Sequence, residues 1–398
     1  MKIVSRCAIL DTRTLNRKGT DEMKPRPLIA AYYFPNWHCD PRIEALHGKG
    51  WTEWRVVRYA TPRFPGHRQP RIPLWGYQDE ADPEVMAQKI TAARAYGIDA
   101  FIFDWYSFND GPYRERCLNE GFLKAANCRE IKFAMMWCNH NPIYAHPGSY
   151  WKPAEVNWTG DDVTPETFRR ETALYIEKYF TLPNYLRVGR GLYFSIWQPR
   201  RMIASLGGEK AAAKLVREFR ANVRKAGLGE LNLNGHCDCW DRAEGKLEEY
   251  EGLLKKVGFD SISEYTWGNF GPSFPSVEFG VWSANNRRDQ MEKARRFKGV
   301  YYPSAATGWD SSPRTVQSDI YERRGYPFLP VVVNNTPERF EAELEFLKEQ
   351  YEKDAFSGDM LLLACWNEWT EGAYLEPDTE YGYGYLQAVK NVFGKGEK

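Results

Sequence analysis

From Pro27 onward, short apolar runs of strand length alternate with longer stretches of helical periodicity, and this alternation restricts the fold more than any other feature of the sequence. The segments Leu28–Phe34, Ala100–Trp105, Lys132–Trp137, Gly191–Trp197, Leu231–Cys237, Ser261–Trp267 and Met360–Cys365 read as strands, and the last is apolar with no polar alternation. Such runs need cover on both faces, which is the condition of a parallel strand packed between helices. A further strand, seventh in order, falls at Val300–Pro303 or at Phe328–Val333. Between the strands, helices are expected over Pro83–Tyr96, Pro165–Phe180, Gly208 to about Ala226, Ala243–Val257, Asn285–Phe297, Pro337–Tyr351 and Tyr385–Phe393. Asp82, Thr164 and Thr336 each precede a proline at a helix start, so each reads as an N-cap. Eight strands in alternation with helices, without an internal linker, predict an α/β chain folded as a single (β/α)8 TIM barrel with long βα loops, spanning 25–394. Residues 1–24 read as a loose N-terminal extension.

Composition limits what such a barrel acts on. Lys and Arg together number 54 against 53 for Asp and Glu, a formal charge of +1. That balance gives no electrostatic footprint for nucleic acid or an anionic membrane surface. Aromatic residues make up 15% of the chain, with 15 Trp and 24 Tyr, enough to build a core and to stack on sugar rings as well. Eight cysteines without a CxxC pair point to a reduced chain. No apolar run approaches the ~18 residues of a membrane span. The N-terminus lacks the apolar run of a secretion signal, so a cytoplasmic location is expected, or a periplasmic one if the true start lies upstream.

A barrel carries its chemistry on the loops that follow its strands. After the last strand comes Asn367-Glu368-Trp369-Thr370-Glu371-Gly372, two carboxylates three residues apart beside tryptophan. Isolated ExxE pairs are common on solvated faces; the mouth of a buried strand is a different place. The other strand ends and their loops supply Tyr33, Trp54, Asp104, Trp105, Asn139, Gln198, Glu264, Trp309 and Asp310. Together with Asn367 they form an acidic, amide-rich and aromatic set suited to hydroxyls and pyranose faces. Glycoside hydrolysis uses two carboxylates, one protonated toward the leaving oxygen and one acting as nucleophile or base, and Glu368 and Glu371 supply them. Like charges so placed push one pKa up, which keeps Glu371 available as an acid.

Competing chemistries find less support. His38, His47 and His67 share one long loop, but no HxxxH or HExxH spacing marks a metal site. No GxSxG elbow, GxGxxG turn or DxD motif is present, so neither a serine triad nor a nucleotide cofactor is implied.

Seven stretches taken together resemble the WbsX-like proteins, which are related to family 99 glycoside hydrolases. They are AYYFPNWH (31–38), GWTEW (50–54), GHRQPRIPL (66–74), YGIDAFIFDWY (96–106), GWDSSPR (308–314), NEWTEGAYLEPD (367–378) and YGYGYL (381–386). The resemblance implies a metal-free barrel acting on glycans. It implies that Glu368 is the base on the sugar's own 2-hydroxyl, giving a 1,2-anhydro sugar with retention overall. Glu371 is then the acid that protonates the leaving oxygen and later activates water. Thr370 stands where family 99 has a histidine, a departure that bears on mannoside specificity. The expectation is a retaining glycoside hydrolase working on a poly- or oligosaccharide. Its alternatives are a glycosyltransferase of polysaccharide biosynthesis and a non-catalytic glycan-binding barrel.

Overall fold

The computed structural model describes residues 24–140, 146–152, 163–237 and 246–394. The expected N-terminal extension lies, apart from residue 24, outside them, as does Ala243, the expected start of one helix. Barrel strands β1 (Leu28–Tyr33), β2 (Ala100–Phe108), β3 (Lys132–Trp137), β4 (Gly191–Ile196), β5 (Glu230–His236) and β6 (Ser261–Ser263) follow in order. Strand β7 comes in two halves, Val300–Tyr302 and Ser304–Ala306, and β8 is Met360–Ala364. Every barrel strand is parallel to its neighbours. All nine residues of β2 are buried, as are all five of β8, which is why β8 reads as an unbroken apolar run and β2 as one broken by Asp104 and Ser107.

The barrel closes through β7. Its first half pairs with β6, Tyr301 opposite Ile262, and its second half pairs with β8, Ala305 opposite Leu363. Pro303 sits at the change of partner. It has no N–H to give a ladder, while its carbonyl accepts from the Leu362 amide at 2.9 Å. The seventh strand is therefore the one at Val300. The rival segment keeps only Val331–Val333, paired in parallel with Ser276–Glu278 outside the barrel. Strand six is shorter than expected: beyond Ser263 the chain turns over the rim, and the Trp267 indole N–H donates to the Ser304 carbonyl at 2.9 Å.

Helices α1 (Pro83–Ala95), α2 (Pro165–Lys178), α3 (Glu209–Lys225), α4 (Lys246–Val257), α5 (Phe279–Arg296), α6 (Pro337–Glu352) and α7 (Gly384–Phe393) cover the outside. The expected caps form, with Asp82, Thr164 and Thr336 accepting from backbone amides of the first turn. One crossover departs from the regular (β/α)8 pattern. Between β2 and β3 the described chain makes a π-turn at Cys117–Gly121 followed by short 3-10 turns. Gly121 explains the close packing there, since a Cβ would lie 2.0 Å from the Glu80 carbonyl oxygen.

Inside the barrel, polar side chains satisfy one another. Ser195 and Ser263 donate to Asn234 Oδ1 at 2.8 Å each, and the Tyr32 hydroxyl donates to Ser263 at 3.1 Å. Much of the aromatic excess is structural: Trp37, Trp105, Trp137, Trp282, Trp366 and Trp369 are fully buried. Among the described residues the six cysteines are free thiols, and no helix is long and apolar enough to cross a membrane.

Candidate active site

Beyond β8 the chain folds back on itself. Asn367–Glu368 pairs antiparallel with Ala373–Tyr374, and a 3-10 turn at Trp369–Glu371 joins them, closed by Gly372 in the left-handed region at φ 61°. Glycine is required on two counts, because a Cβ there would lie 2.8 Å from Asp310 Cβ.

A buried ion network holds this hairpin from behind. Lys89 of α1 places its ammonium 2.5 Å from both Glu80 and Glu376. Glu80 also accepts from the Tyr33 hydroxyl at 2.8 Å and from Asn367 Nδ2 at 2.9 Å, while Glu376 accepts from the Trp369 indole at 2.7 Å. Asn367 exchanges hydrogen bonds with both the N–H and C=O of Phe34 at 2.8 Å, tying the end of β8 to the end of β1. Each polar group in the network has a partner, which makes a set of buried charges tolerable.

In front of the hairpin the organising residue is Arg314, the last residue of the 3-10 turn Ser312–Arg314. Its Nη2 contacts Glu368 Oε1 at 2.7 Å and its Nη1 contacts Glu371 Oε1 at 2.5 Å. Its Nε donates to Glu53 Oε1 at 2.9 Å. One guanidinium fork thus gathers three carboxylates. Thr370 donates to Glu53 at 2.9 Å or to Glu368 at 3.2 Å, and the Tyr326 hydroxyl donates to Glu371 at 3.0 Å. Asn36 donates to the other oxygen of Glu53.

These surroundings separate the carboxylates. Burial pushes Glu53 up, but the guanidiniums of Arg314 and Arg114 and the Thr370 hydroxyl outweigh it and hold Glu53 at about 2. Burial raises Glu368 well above the ordinary carboxylate range; Arg314 opposes this, while Glu371, Glu53 and Asp104 add to it. Glu371 is raised as well, chiefly by burial, against Arg314 and the Tyr326 hydroxyl. The upward push therefore acts on both members of the ExxE pair and is stronger on Glu368, which faces more acidic neighbours; the expectation that it singles out Glu371 is not met. The pair behaves as a unit that binds a proton above the usual range. Asp104 is also pushed well up by burial; Tyr265 donates to its Oδ2 at 3.1 Å, and its Oδ1 has no partner.

Glu368, Glu371 and Asp104 line one cavity of about 600 Å³ at the C-terminal mouth of the barrel. Gln198 and Trp309 line it too, with Trp197, Tyr106 and Tyr265 adding aromatic faces. Of the other expected residues, Tyr33 and Asn367 belong to the network behind the hairpin. Trp54 stacks on Trp37 at 3.9 Å between centroids, and its indole N–H donates to the Gln78 carbonyl. Trp105 faces the helix layer, edge-on to Tyr175 and Tyr179. Asn139 spends its amide on the backbone of Gln198. Asp310 accepts from the Gln69 amide at 2.6 Å and pairs with His67 at 2.8 Å, which draws that loop histidine into a structural contact. Glu264 pairs with Lys293 beside a smaller neighbouring pocket. The cavity also holds residues outside the expected set: Arg114, Arg314 and Tyr326, with Glu53 behind them. Glu53 and Arg314 lie inside GWTEW and GWDSSPR, where a charged residue within an aromatic motif was the available signal. Arg114 and Tyr326 lie in stretches with no such mark.

A family model described as Glycosyltransferase WbsX matches residues 29–389. The chain belongs to the WbsX family. Two relatives, both called Uncharacterized protein WxcX and from two strains of Xanthomonas campestris pv. campestris, are 27% identical over 389 residues, covering 93% of this chain and 50% of theirs. The chain thus spans about half the length of the curated relatives it matches. Among solved structures, a glycoside hydrolase-like protein superposes with a TM-score of 0.60 at 16% identity, covering 96% of this chain and 98% of its own. The GH99 endo-alpha-mannosidase from Bacteroides thetaiotaomicron superposes at 0.57 and 14% identity, covering 92% and 95%. At such identities the likeness is one of fold: this WbsX chain has a glycoside hydrolase-like TIM barrel.

Proposed function

We propose that the chain is a retaining glycoside hydrolase acting on a poly- or oligosaccharide through participation of the sugar's 2-hydroxyl. The observation that carries this reading is the placement of Glu368 and Glu371, both buried, both on the Arg314 guanidinium and both lining the barrel-mouth cavity. In the first step Glu368 takes the 2-hydroxyl proton as that oxygen attacks the anomeric carbon, and Glu371 gives its proton to the departing glycosidic oxygen. A 1,2-anhydro sugar results. In the second step Glu371 takes a proton from water as the water oxygen opens the strained ring, and Glu368 returns its proton to O2. Each carboxylate ends as it began, and configuration is retained. The exchange starts with the pair's proton on Glu371 and with Glu368 ionised; burial raises Glu368 the more, and the Arg314 Nη2 contact at 2.7 Å is what favours its carboxylate. Asp104, pushed toward its protonated form by burial and with one oxygen unpartnered, can hydrogen-bond a sugar hydroxyl, while Gln198, Trp197 and Trp309 supply amide and stacking contacts.

The family description favours a second reading, a glycosyltransferase of polysaccharide assembly, in which an acceptor hydroxyl takes the place of water. The two give different products from one starting glycan. The deciding experiment purifies the chain with Glu368→Gln and Glu371→Gln variants and assays reducing-end release and the first-formed anomer by NMR. The hydrolase reading expects retained configuration and a loss of about 10²–10⁴-fold in each variant. Activated aryl leaving groups should rescue only Glu371→Gln. Wild-type turnover in either variant, or an inverted product, defeats the mechanism.

A further inference from the structure

Arg114 is a cation in the candidate active site with no use in the chemistry just described. It follows a short strand, Gly111–Tyr113, that folds back antiparallel on the rim end of β2. Its backbone stands at φ 60°, in the left-handed region that non-glycine residues rarely occupy and that clusters at functional sites. Its guanidinium lies 4.6 Å from the Tyr113 ring, 4.9 Å from Tyr106 and 5.2 Å from Phe34. Among the described residues it forms no ion pair, and its Nε is buried without a hydrogen-bond partner. Glu53, Glu368 and Glu371 are all gathered by Arg314 instead, and Asp104 accepts from Tyr265. Glu53 favours its charge from a distance, but no carboxylate of the described residues lies within ion-pairing reach, so a guanidinium set among rings can still take an anion directly.

Arg114 lines the same cavity as Glu368 and Glu371. We propose that the site takes an acidic glycan, with Arg114 receiving the carboxylate of a uronic acid residue beside the bond that Glu368 and Glu371 act on. A guanidinium fork matches a carboxylate in two parallel hydrogen bonds, and the flanking rings leave the sugar face room to stack. A diphosphate fits less well: Arg114 rises from a ring of aromatic faces without a glycine-rich turn of amides beside it, the donor set that cradles phosphates. The substrate class deepens the hydrolase reading; the binding preference stands apart from it.

The test separates the two. Calorimetry on the full chain carrying Glu371→Gln measures binding of short oligomers of galacturonate, mannuronate and glucuronate, of the same oligomers after carboxyl reduction, and of UDP-glucose. Expected is binding of at least one acidic oligomer about tenfold or more tighter than its reduced form, from a charge-assisted pair. Arg114→Gln should collapse that ratio to near one, and Arg114→Lys should keep part of it. Equal affinity for acidic and reduced forms, no binding of any acidic oligomer, a preference that survives Arg114→Gln, or binding of UDP-glucose alone each overturns the proposal. The acid-to-reduced ratio of the Arg114-intact chain decides the matter even if Arg114→Gln fails to fold. Reducing-end release by the wild type on the bound oligomer is scored separately: selective binding without release sinks the hydrolase reading and leaves the acidic ligand standing.

Discussion

Thr370 donates its hydroxyl to Oε1 of Glu53 at 2.9 Å, so the residue set between the two candidate catalytic glutamates is tied to a third carboxylate from the loop after β1. The same hydroxyl lies 3.2 Å from Glu368, and the arrangement couples the position of the ExxE turn to the Arg314 cluster. Thr370→Val keeps the shape and removes the donor. It should lower kcat/KM about tenfold, the worth of one hydrogen bond to a charged group, while Thr370→Ser restores most of it. Steady-state kinetics on a cleaved glycan reads both; unchanged kinetics in the valine variant removes Thr370 from the site.

Stability should respond to pH in opposite senses at two carboxylates of the same cluster. The folded pKa of Glu368 lies above its free value, so its contribution is fully present below the unfolded carboxyl range of about 4.3 and is lost as pH rises through the folded value. Glu368→Gln should therefore gain in melting temperature relative to wild type as pH rises from 5 to 9. Glu53 is held at about 2, so its contribution, on the order of 3 kcal/mol, is present above about 4.3 and disappears as pH falls toward 2. Glu53→Gln should destabilise at neutral pH, with a penalty that shrinks in acid. Parallel melting curves for the two variants contradict this assignment of charge.

Gly372→Ala tests the turn itself. A Cβ at φ 61° adds backbone strain, and it would press on Asp310, whose amide donates to the Glu371 carbonyl at 2.5 Å. We expect a loss of about 1–3 kcal/mol in unfolding free energy. Turnover should fall about 100-fold, because displacing Asp310 shifts Glu371 out of line. A variant that melts lower but turns over normally would show that the turn supports the fold alone.

Lys89→Met removes the cation that pairs with both Glu80 and Glu376. Two buried carboxylates would then face each other unpaired, at a cost of about 3–5 kcal/mol by chemical denaturation. Replacing all three residues with apolar ones of similar size should recover most of that loss. Failure to recover would mean that the network is required for the hairpin's geometry as well as for neutrality.

The barrel was legible because its strands obey one rule, burial on both faces, and its helices announce their starts with Asp82, Thr164 and Thr336. Strand seven resisted because three-residue halves on either side of Pro303 carry too little apolar sequence to stand out from Phe328–Val333. At the site, Glu368, Glu371, Asp104, Gln198 and Trp309 could be placed from position after a strand. Tyr33 and Trp105 could not: in a strand successive side chains alternate between barrel interior and helix layer, and both point outward. Arg314 and Glu53 reach the cluster from loops far apart in sequence, and no periodicity reports on where a long loop ends up. Asn367 and Asn139 were identified as polar residues at strand ends, but backbone groups consume their amides.

Ser276–Glu278 and Val331–Val333 pair in parallel outside the barrel, one from the loop after β6 and the other from the loop after β7. The second of these loops carries Arg314 and Tyr326 to the cavity. For anyone recombining loops between homologous barrels, this makes the two insertions a single module. Exchanging one alone strands its partner with an unpaired edge and misplaces the guanidinium that gathers Glu53, Glu368 and Glu371.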